Sequence, residues 1–501
     1  MSLLGLVCNK FDCQHMMPAQ QSTLSDVYDV VIVGGGVVGC AIARRMTLEG
    51  WRVVLTEKAP DILDGASKGN SAILHTGFDA PPGSLEARCI AEGYDEFRSI
   101  QERLGLPLVE TGALVLAWTE QELARLDGLI EQAHANGVDD VARLDAHQAR
   151  NMEPELSEGV MGGFRVPGEH LIDPWSTPYA YLLQAVENGA TVLRQCRVSD
   201  GEFDGARWQL ETSQGCLHAR LVINAAGLYG DRLDETLIGH SDFTIRPRKG
   251  QFIVFDKPAA RLTRHILLPV PTEKTKGIVV CRTVFGNVLV GPTAEEQEDR
   301  SFATVDAQAL QDLRQAGERI LPALAGEDVT AFYAGLRPAT EHKDYQVRTD
   351  KMRNYVTVGG IRSTGLSAAL GLARHVHQLC EQIVGPSEPM ADPAWPKVGN
   401  ISEYAPRDWQ APGNEGIVCH CELVTRREIE KALDGPLGAR SLAGLKRRTR
   451  VTMGRCQGFY CTAQLAAMTA GRFAEPIATG ESPPPSMPSH MRDATDLTDV
   501  R

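Results

Sequence analysis

The sequence predicts a mixed α/β and α+β fold. It combines a domain on a parallel sheet, a second domain on an antiparallel sheet, and a small helical unit at the C-terminal end. Three observations predict it. A buried-strand run, Asp29–Val33, passes straight into a glycine-rich turn and a segment of helical character. Short alternating segments separated by turns follow one another between residues 245 and 290. Four clustered cysteines mark a compact unit at about residues 416–471.

Taken in order, Val37–Glu49 reads as a helix and Arg52–Leu55 as a second strand, which completes a β-α-β unit. Leu85–Leu104 and Glu120–Ala135 read as helices, with Ala113–Ala117 a strand between them. Val160–Val166 and Ala219–Asn224 are further strands. Ile245–Phe255, His265–Pro269, Gly277–Arg282 and Asn287–Val290 alternate as strands of an antiparallel sheet. Tyr355–Val358 returns to the buried-strand pattern, and Ser367–Ile383 follows as a helix. Six prolines fall within residues 386–412, which reads as a linker or an extended wrapping segment. The expected organisation is a disordered extension at 1–26, a large domain at 27–385, the linker, a cysteine domain at 413–475 and a disordered tail at 476–501. Within the large domain, 27–80, 171–244 and 336–385 would carry the nucleotide site, and 81–170 and 245–335 the substrate or cap parts.

Composition narrows the function. The 501 residues suffice for two to four domains and a core able to enclose a cofactor. A net charge of −13 argues against nucleic acid, whose phosphates demand a surplus of Lys and Arg. No apolar run approaches the roughly 20 residues of a membrane helix. The opening MSLLGLVC has no positive region before its short apolar stretch, and Val7 stands where a small residue should precede a processed cysteine. The expectation is therefore a cytoplasmic chain, with Met16 or Met17 as alternative starts and with peripheral contact at the inner membrane face left open. Its scattered cysteines, Cys8, Cys13, Cys40, Cys89, Cys196, Cys216, Cys281 and Cys380, then read as buried apolar residues or inert thiols.

Gly34-Gly35-Gly36-Val37-Val38-Gly39 fits G-x-G-x-x-G between a strand and a helix, the context that makes the motif a dinucleotide loop. Gly34 permits the tight turn, Gly36 admits the pyrophosphate, and Gly39 lets helix and strand pack closely. Glu57 ends the second strand 18 residues after Gly39, placed to accept from ribose hydroxyls. The loop alone does not separate FAD from NAD. Three further small-residue turns, around Ser67, Asn70 and Ser71, at Ala225-Ala226-Gly227 and at Gly360–Leu366, point to one long cofactor along the carboxyl edge of the sheet.

GASKGNSAILHTGF, NAAG, RPRKGQF, NVLVGPTA, AGLRPAT and VGGIRSTGLS together resemble the characteristic blocks of the FAD-dependent glycerol-3-phosphate dehydrogenase and D-amino-acid-oxidase-like superfamily, over about residues 28–385. TGFDAPPGSLEARC and NVLVGPTA look more like the L-2-hydroxyglutarate oxidase group. The resemblance implies an FAD-binding Rossmann-like domain. The candidate cofactor-binding residues are Gly34, Gly36, Val37, Val38 and Gly39, Glu57 and Lys58, Ser67, Asn70, Ser71 and Ala72, Val198, Ala225, Ala226 and Gly227, and Gly360, Gly365, Leu366 and Ser367.

Cys419-His420-Cys421 is a C-x-C pair, Cys456 to Cys461 is a C-x-x-x-x-C pair, and 34 residues separate them. Paired thiolates on two loops suit a soft metal centre. Four-cysteine zinc sites more often use C-x-x-C, so the C-x-C pair favours a [2Fe-2S] cluster over zinc. The spacing resembles the bacterioferritin-associated-ferredoxin-like [2Fe-2S] domain. RRTRVTMGRCQGFYC resembles the same stretch in the large subunit of anaerobic glycerol-3-phosphate dehydrogenases. Such a cluster is anionic. Lys446, Arg447, Arg448, Arg450 and Arg455 are placed to offset that charge, or else form a solvated helix face.

Oxidation on a flavin needs a C–H bond over the ring, a proton acceptor and a group that holds the substrate. By resemblance His75 lies close to the flavin as base or ring neighbour, and His265 is the second candidate base. Arg337 and Arg362 offer guanidinium forks for carboxylate or phosphate, with Lys249 assisting. The expected activity is dehydrogenation of a small anionic hydroxy substrate, glycerol-3-phosphate or a 2-hydroxy acid. Electrons would pass through [2Fe-2S] to an acceptor protein or quinone, directly or by way of other subunits. Amine or imino-acid oxidation is the second reading, and a non-catalytic electron-transfer or sensor subunit the third.

Overall fold

The computed structural model describes residues 27–271 and 277–478. The expected extension at 1–26, with Cys8, Cys13, Met16 and Met17, and nearly all of the expected tail lie outside the described residues.

Strand Val27–Val33 (VYDVVIV) is buried from Val30 onward, so it can only be a central strand. It lies between Val53–Glu57 and Gly215–Asn224, both parallel to it. Thr191–Arg194 extends the parallel set on one side and Tyr355–Gly359 on the other. Antiparallel strands Val198–Phe203, Trp208–Thr212 and Gln346–Asp350 complete eight. Helices Val37–Leu48, Ser176–Glu187, Leu85–Leu104 and Gly365–Val384 pack as one layer on this sheet. Leu85–Leu104 and Gly365–Val384 run backbone to backbone. A Cβ on Gly93 would stand 2.2 Å from the Ser367 carbonyl oxygen, and one on Gly371 2.2 Å from that of Cys89.

The second domain is a nine-stranded, largely antiparallel sheet. Arg246–Phe255 pairs along its length with Val329–Ala339. Two distant chain segments become one sheet where Ile266–Pro269 runs parallel to Ala113–Ala117. Residues 386–416 carry one regular element, the short turn Asp408–Gln410. This stretch is nevertheless fastened down: Met390 N–H donates to the Leu48 carbonyl, Val398 N–H to that of Leu104, and Arg103 stacks 3.6 Å from the Trp395 ring centre.

The C-terminal unit has its own core of Val418, Val424, Ile429, Leu433, Leu445 and Leu465. A hairpin, Ile417–Cys419 with Val424–Thr425, leads into helix Arg426–Asp434, which a Thr425/Glu428 capping box starts. Helices Leu442–Thr449 and Thr462–Met468 follow. No helix among the described residues is long and apolar enough to cross a membrane.

Candidate functional site

At the carboxyl end of Val27–Val33 the chain turns through Gly34 at φ +117°, which only glycine adopts freely. A Cβ on Gly39 would fall 1.9 Å from the Gly34 carbonyl oxygen, so helix Val37–Leu48 starts against the turn itself. Gly36 is its N-cap and supplies no side-chain acceptor, while Val37 N–H donates to Ser67 Oγ at 3.0 Å. With Val37 N–H taken by Ser67, it is the next N–H groups, of Val38 and Gly39, that this helix start leaves without a side-chain cap beside the cleft, as an anion site should. Glu57 accepts from Gly35 N–H and Ala59 N–H, both at 2.8 Å, with one oxygen each. Lone pairs remain on both oxygens for hydroxyl donors. Burial pushes the Glu57 carboxyl up, against the pull of those N–H groups.

The cleft runs from Gly36, Val37 and Val38 past Ser67, Asn70 and Ser71 to Arg337. Its walls also include Ala225, Gly227, Gly360, Gly365 and Leu366. Asn70 shapes one wall, accepting from Ala72 N–H at 2.8 Å, and Tyr333 OH donates to the Asn70 carbonyl at 2.7 Å. Ala226 N–H donates to Asn224 Oδ1 at 3.1 Å, which sets the turn into Gly227. Ser367 stands behind, taking His75 N–H on its hydroxyl at 2.9 Å. Gly34, Gly39, Ala72, Ala226 and Ser367 adjoin the lining residues without lining the cleft themselves, and three further candidates also lie off it. Glu57 is behind the loop, Lys58 stacks its ammonium 3.4 Å from the Tyr229 ring centre, and Val198 begins an edge strand paired to Thr212. A glycine-walled cleft with helix N–H groups at one end and a half-buried carboxylate nearby suits a dinucleotide in shape and in donors.

The cationic candidates differ in what they already hold. Lys249 Nζ sits 3.0 Å from Glu295 and 3.6 Å from Asp306. Arg362 pairs with Glu86 at 3.3 Å and donates to the Lys343 carbonyl. Arg337 faces no carboxylate among the described residues. It donates only to the carbonyls of Thr293, at 2.5 Å, and Lys249, at 3.4 Å. Burial, with Arg248 nearby, lowers its guanidinium to about 10.

Both candidate histidines are held by buried glutamates. His75 Nδ1 lies 2.7 Å from Glu169 Oε2, and Glu169 also accepts from Thr76 N–H at 2.7 Å. This acceptor set assigns the proton to Nδ1 and the lone pair to Nε2. His75 follows strand Ile73–Leu74, four residues after Ser71 of the cleft wall, and is not itself among the residues that line the cleft. His265 Nδ1 lies 2.6 Å from Glu153. It sits at the start of strand Ile266–Pro269 and is not among the residues that line the cleft.

In the C-terminal unit the four cysteines stand two by two. The Cys421 and Cys456 thiols are within hydrogen-bonding reach of each other, as are those of Cys419 and Cys461. Among the described residues, no three metal-ligating side chains are grouped as a single ion requires. Two pairs of thiols are the donor set a two-iron cluster takes. The N–H groups of Tyr460, Gly458 and Phe459 face Cys456 and pull its thiol below the ordinary range, as a bound thiolate needs. The basic run does something else. Two of the five have a cluster cysteine among their charged neighbours, Lys446 with Cys461 and Arg455 with Cys421, and burial lowers the Lys446 ammonium. Arg455 reaches Asp256, Arg448 reaches Asp61 and Arg447 reaches Asp64, all on the large domain.

The sequence profile of the FAD dependent oxidoreductase family matches residues 29–379. The chain belongs to this family. A second profile, the BFD-like [2Fe-2S] binding domain, matches residues 417–470. The large domain of this FAD dependent oxidoreductase thus carries FAD and the small one [2Fe-2S]. Glycerol 3-phosphate dehydrogenase of Caloramator mitchellensis is 31% identical over 452 residues, covering 89% of this chain and 94% of that protein. A subunit of the anaerobic glycerol-3-phosphate dehydrogenase of Escherichia coli (strain K12) is 28% identical over 494 residues, covering 88% and 87%. The solved structure of dithionite-reduced L-alpha-glycerophosphate oxidase from Mycoplasma pneumoniae, with FAD bound, superposes with a TM-score of 0.69 at 27% identity. It covers 74% of this chain and 97% of that one.

Glu169, Glu153 and Asp61 escape a reading of the sequence. Each partner lies 94 or more residues away, and no local pattern sets a buried carboxylate apart from an exposed one.

Proposed function

We propose that this flavoenzyme dehydrogenates glycerol-3-phosphate and passes the electrons through [2Fe-2S] to a protein or quinone acceptor. The observation that carries the substrate is Arg337, a half-buried guanidinium on the cleft with no carboxylate among the described residues to neutralise it. Lys249 and Arg362 are already paired. A single uncompensated cation among these three favours a substrate with one anionic group, a phosphate monoester, over a dicarboxylate such as 2-hydroxyglutarate. The names of the relatives support the same reading.

FAD, when bound, accepts the hydride. The rest falls to the chain's own residues. Arg337 binds the phosphate and so sets which carbon faces the ring. His75 Nε2 takes the hydroxyl proton, with Glu169 fixing the ring and steadying the cation that forms. Glu57, Ser67 and the N–H groups of the dinucleotide loop hold the cofactor.

Anaerobic titration tests this. Glycerol-3-phosphate should bleach the flavin band at concentrations where 2-hydroxyglutarate and proline do not. Bleaching by either of those alone would overturn the assignment.

A further inference from the structure

The turn after the second strand joins the two cofactor domains. Asp61 is fully buried, and Arg448 of the small domain binds it with both terminal nitrogens, at 2.8 and 2.6 Å. Arg440 N–H, also from the small domain, adds a third bond at 3.2 Å, and Arg194 stands 3.6 Å away. Arg447 donates to the Ile62 carbonyl at 2.9 Å. The approach is direct: a Cβ on Gly444 would fall 1.7 Å from Asp61 Oδ2.

The same turn props the dinucleotide loop. Leu63 N–H donates to the Gly35 carbonyl at 2.9 Å, and Gly35 N–H reaches Glu57. Leu63 holds φ +62°, a conformation a leucine keeps only when its surroundings impose it. We infer that Asp61, Arg447 and Arg448 are positioning residues for FAD, so that the docked [2Fe-2S] domain is part of what retains the flavin. Without the two arginines the buried Asp61 carboxylate keeps only the Arg440 N–H and Arg194 at 3.6 Å, the turn relaxes, and Gly35 loses the prop that holds it toward the cleft. Because coupling is reciprocal, FAD in turn favours the docked state of the small domain.

The test needs no substrate, so it stands apart from the choice of glycerol-3-phosphate. FAD affinity is measured on the full chain for wild type, Arg447→Met/Arg448→Met and Arg448→Lys, with iron content and thermal midpoint read in parallel. The double variant should bind FAD about 5- to 150-fold more weakly, the usual span of such coupling. Arg448→Lys, which keeps the charge on Asp61, should recover part of that loss. Equal FAD affinity in wild type and an iron-replete double variant overturns the inference. Should the double variant fail to fold, wild type alone decides. Iron loss to a ferrous chelator should be slower with FAD bound than with FAD stripped, and equal rates refute the coupling.

Discussion

Arg337→Met isolates the feature on which substrate choice depends. Methionine keeps most of the volume and removes a guanidinium that is half-buried, faces no carboxylate among the described residues and opens onto the cleft. A hydrogen bond to a charged group contributes about 1.5–3 kcal/mol, so the loss of a forked phosphate contact should raise KM roughly 10- to 150-fold. The phosphate lies away from the carbon being oxidised. The change should therefore fall on KM, with kcat altered far less. Arg337→Lys should be intermediate, since it keeps charge without the fork.

The pH profile gives an independent check on the same side chain. Its guanidinium sits at about 10 in the free protein because burial disfavours the charged form. Phosphate binds the cation, so binding is complete below that value and is lost as pH rises through it. In anaerobic stopped-flow bleaching with glycerol-3-phosphate, kcat/KM should fall about tenfold per pH unit above about 10, while kcat stays level. Arg337→Met should lack this limb. An unchanged KM in Arg337→Met would refute the reasoning, and so would a wild-type profile flat through pH 11 with the protein still folded.

Two further outcomes follow from buried pairs. Glu169→Gln removes the ionised acceptor that fixes His75 through a 2.7 Å bond. It should lower kcat by about 10- to 100-fold, with FAD binding unchanged by flavin absorbance. Arg450→Met strands Glu422, whose 2.9 Å partner it is, with both side chains at most 5% exposed. Lys257 at 3.4 Å still faces Glu422. The expected cost is thus the lower end for a broken buried pair, about 3 kcal/mol by denaturant titration.

The parts of the fold legible in the sequence are those whose signals are local. Val27–Val33 and its glycine turn announce themselves by composition. Leu85–Leu104 and Glu120–Ala135 begin at Ser84 and Thr119, both of which cap with their own side chains. The hairpin of Val198–Phe203 with Trp208–Thr212 does not show. It is an edge pair, and only Trp208 and Leu210 turn fully inward from a polar stretch. Helix Ala307–Ile320 buries only Leu313, Ala316 and Gly317, too narrow an apolar stripe to stand out. The cofactor loops are legible for the same reason as the strand that precedes them: glycine there is dictated by backbone geometry within a few residues.

The basic run shows why the rest was not legible. Lys446, Arg447, Arg448, Arg450 and Arg455 cluster in sequence, and an anionic cluster nearby is the obvious use for them. On helix Leu442–Thr449, however, neighbours in sequence point in different directions, and a chain with 64 acidic residues offers nearer partners. Arg448 meets Asp61 across 387 positions, Arg447 meets the Ile62 carbonyl across 385, and Arg450 stacks 4.1 Å from the Phe285 ring centre of the antiparallel domain. The cluster cysteines are served by backbone N–H groups of their own loop, as Cys456 shows, with only Lys446 near Cys461 and Arg455 near Cys421 from the basic run. A run that reads as charge compensation is spent on docking, and the docking ends at the flavin loop. Which of those two uses a cationic stretch serves is decided by carboxylates that only the folded chain brings within reach.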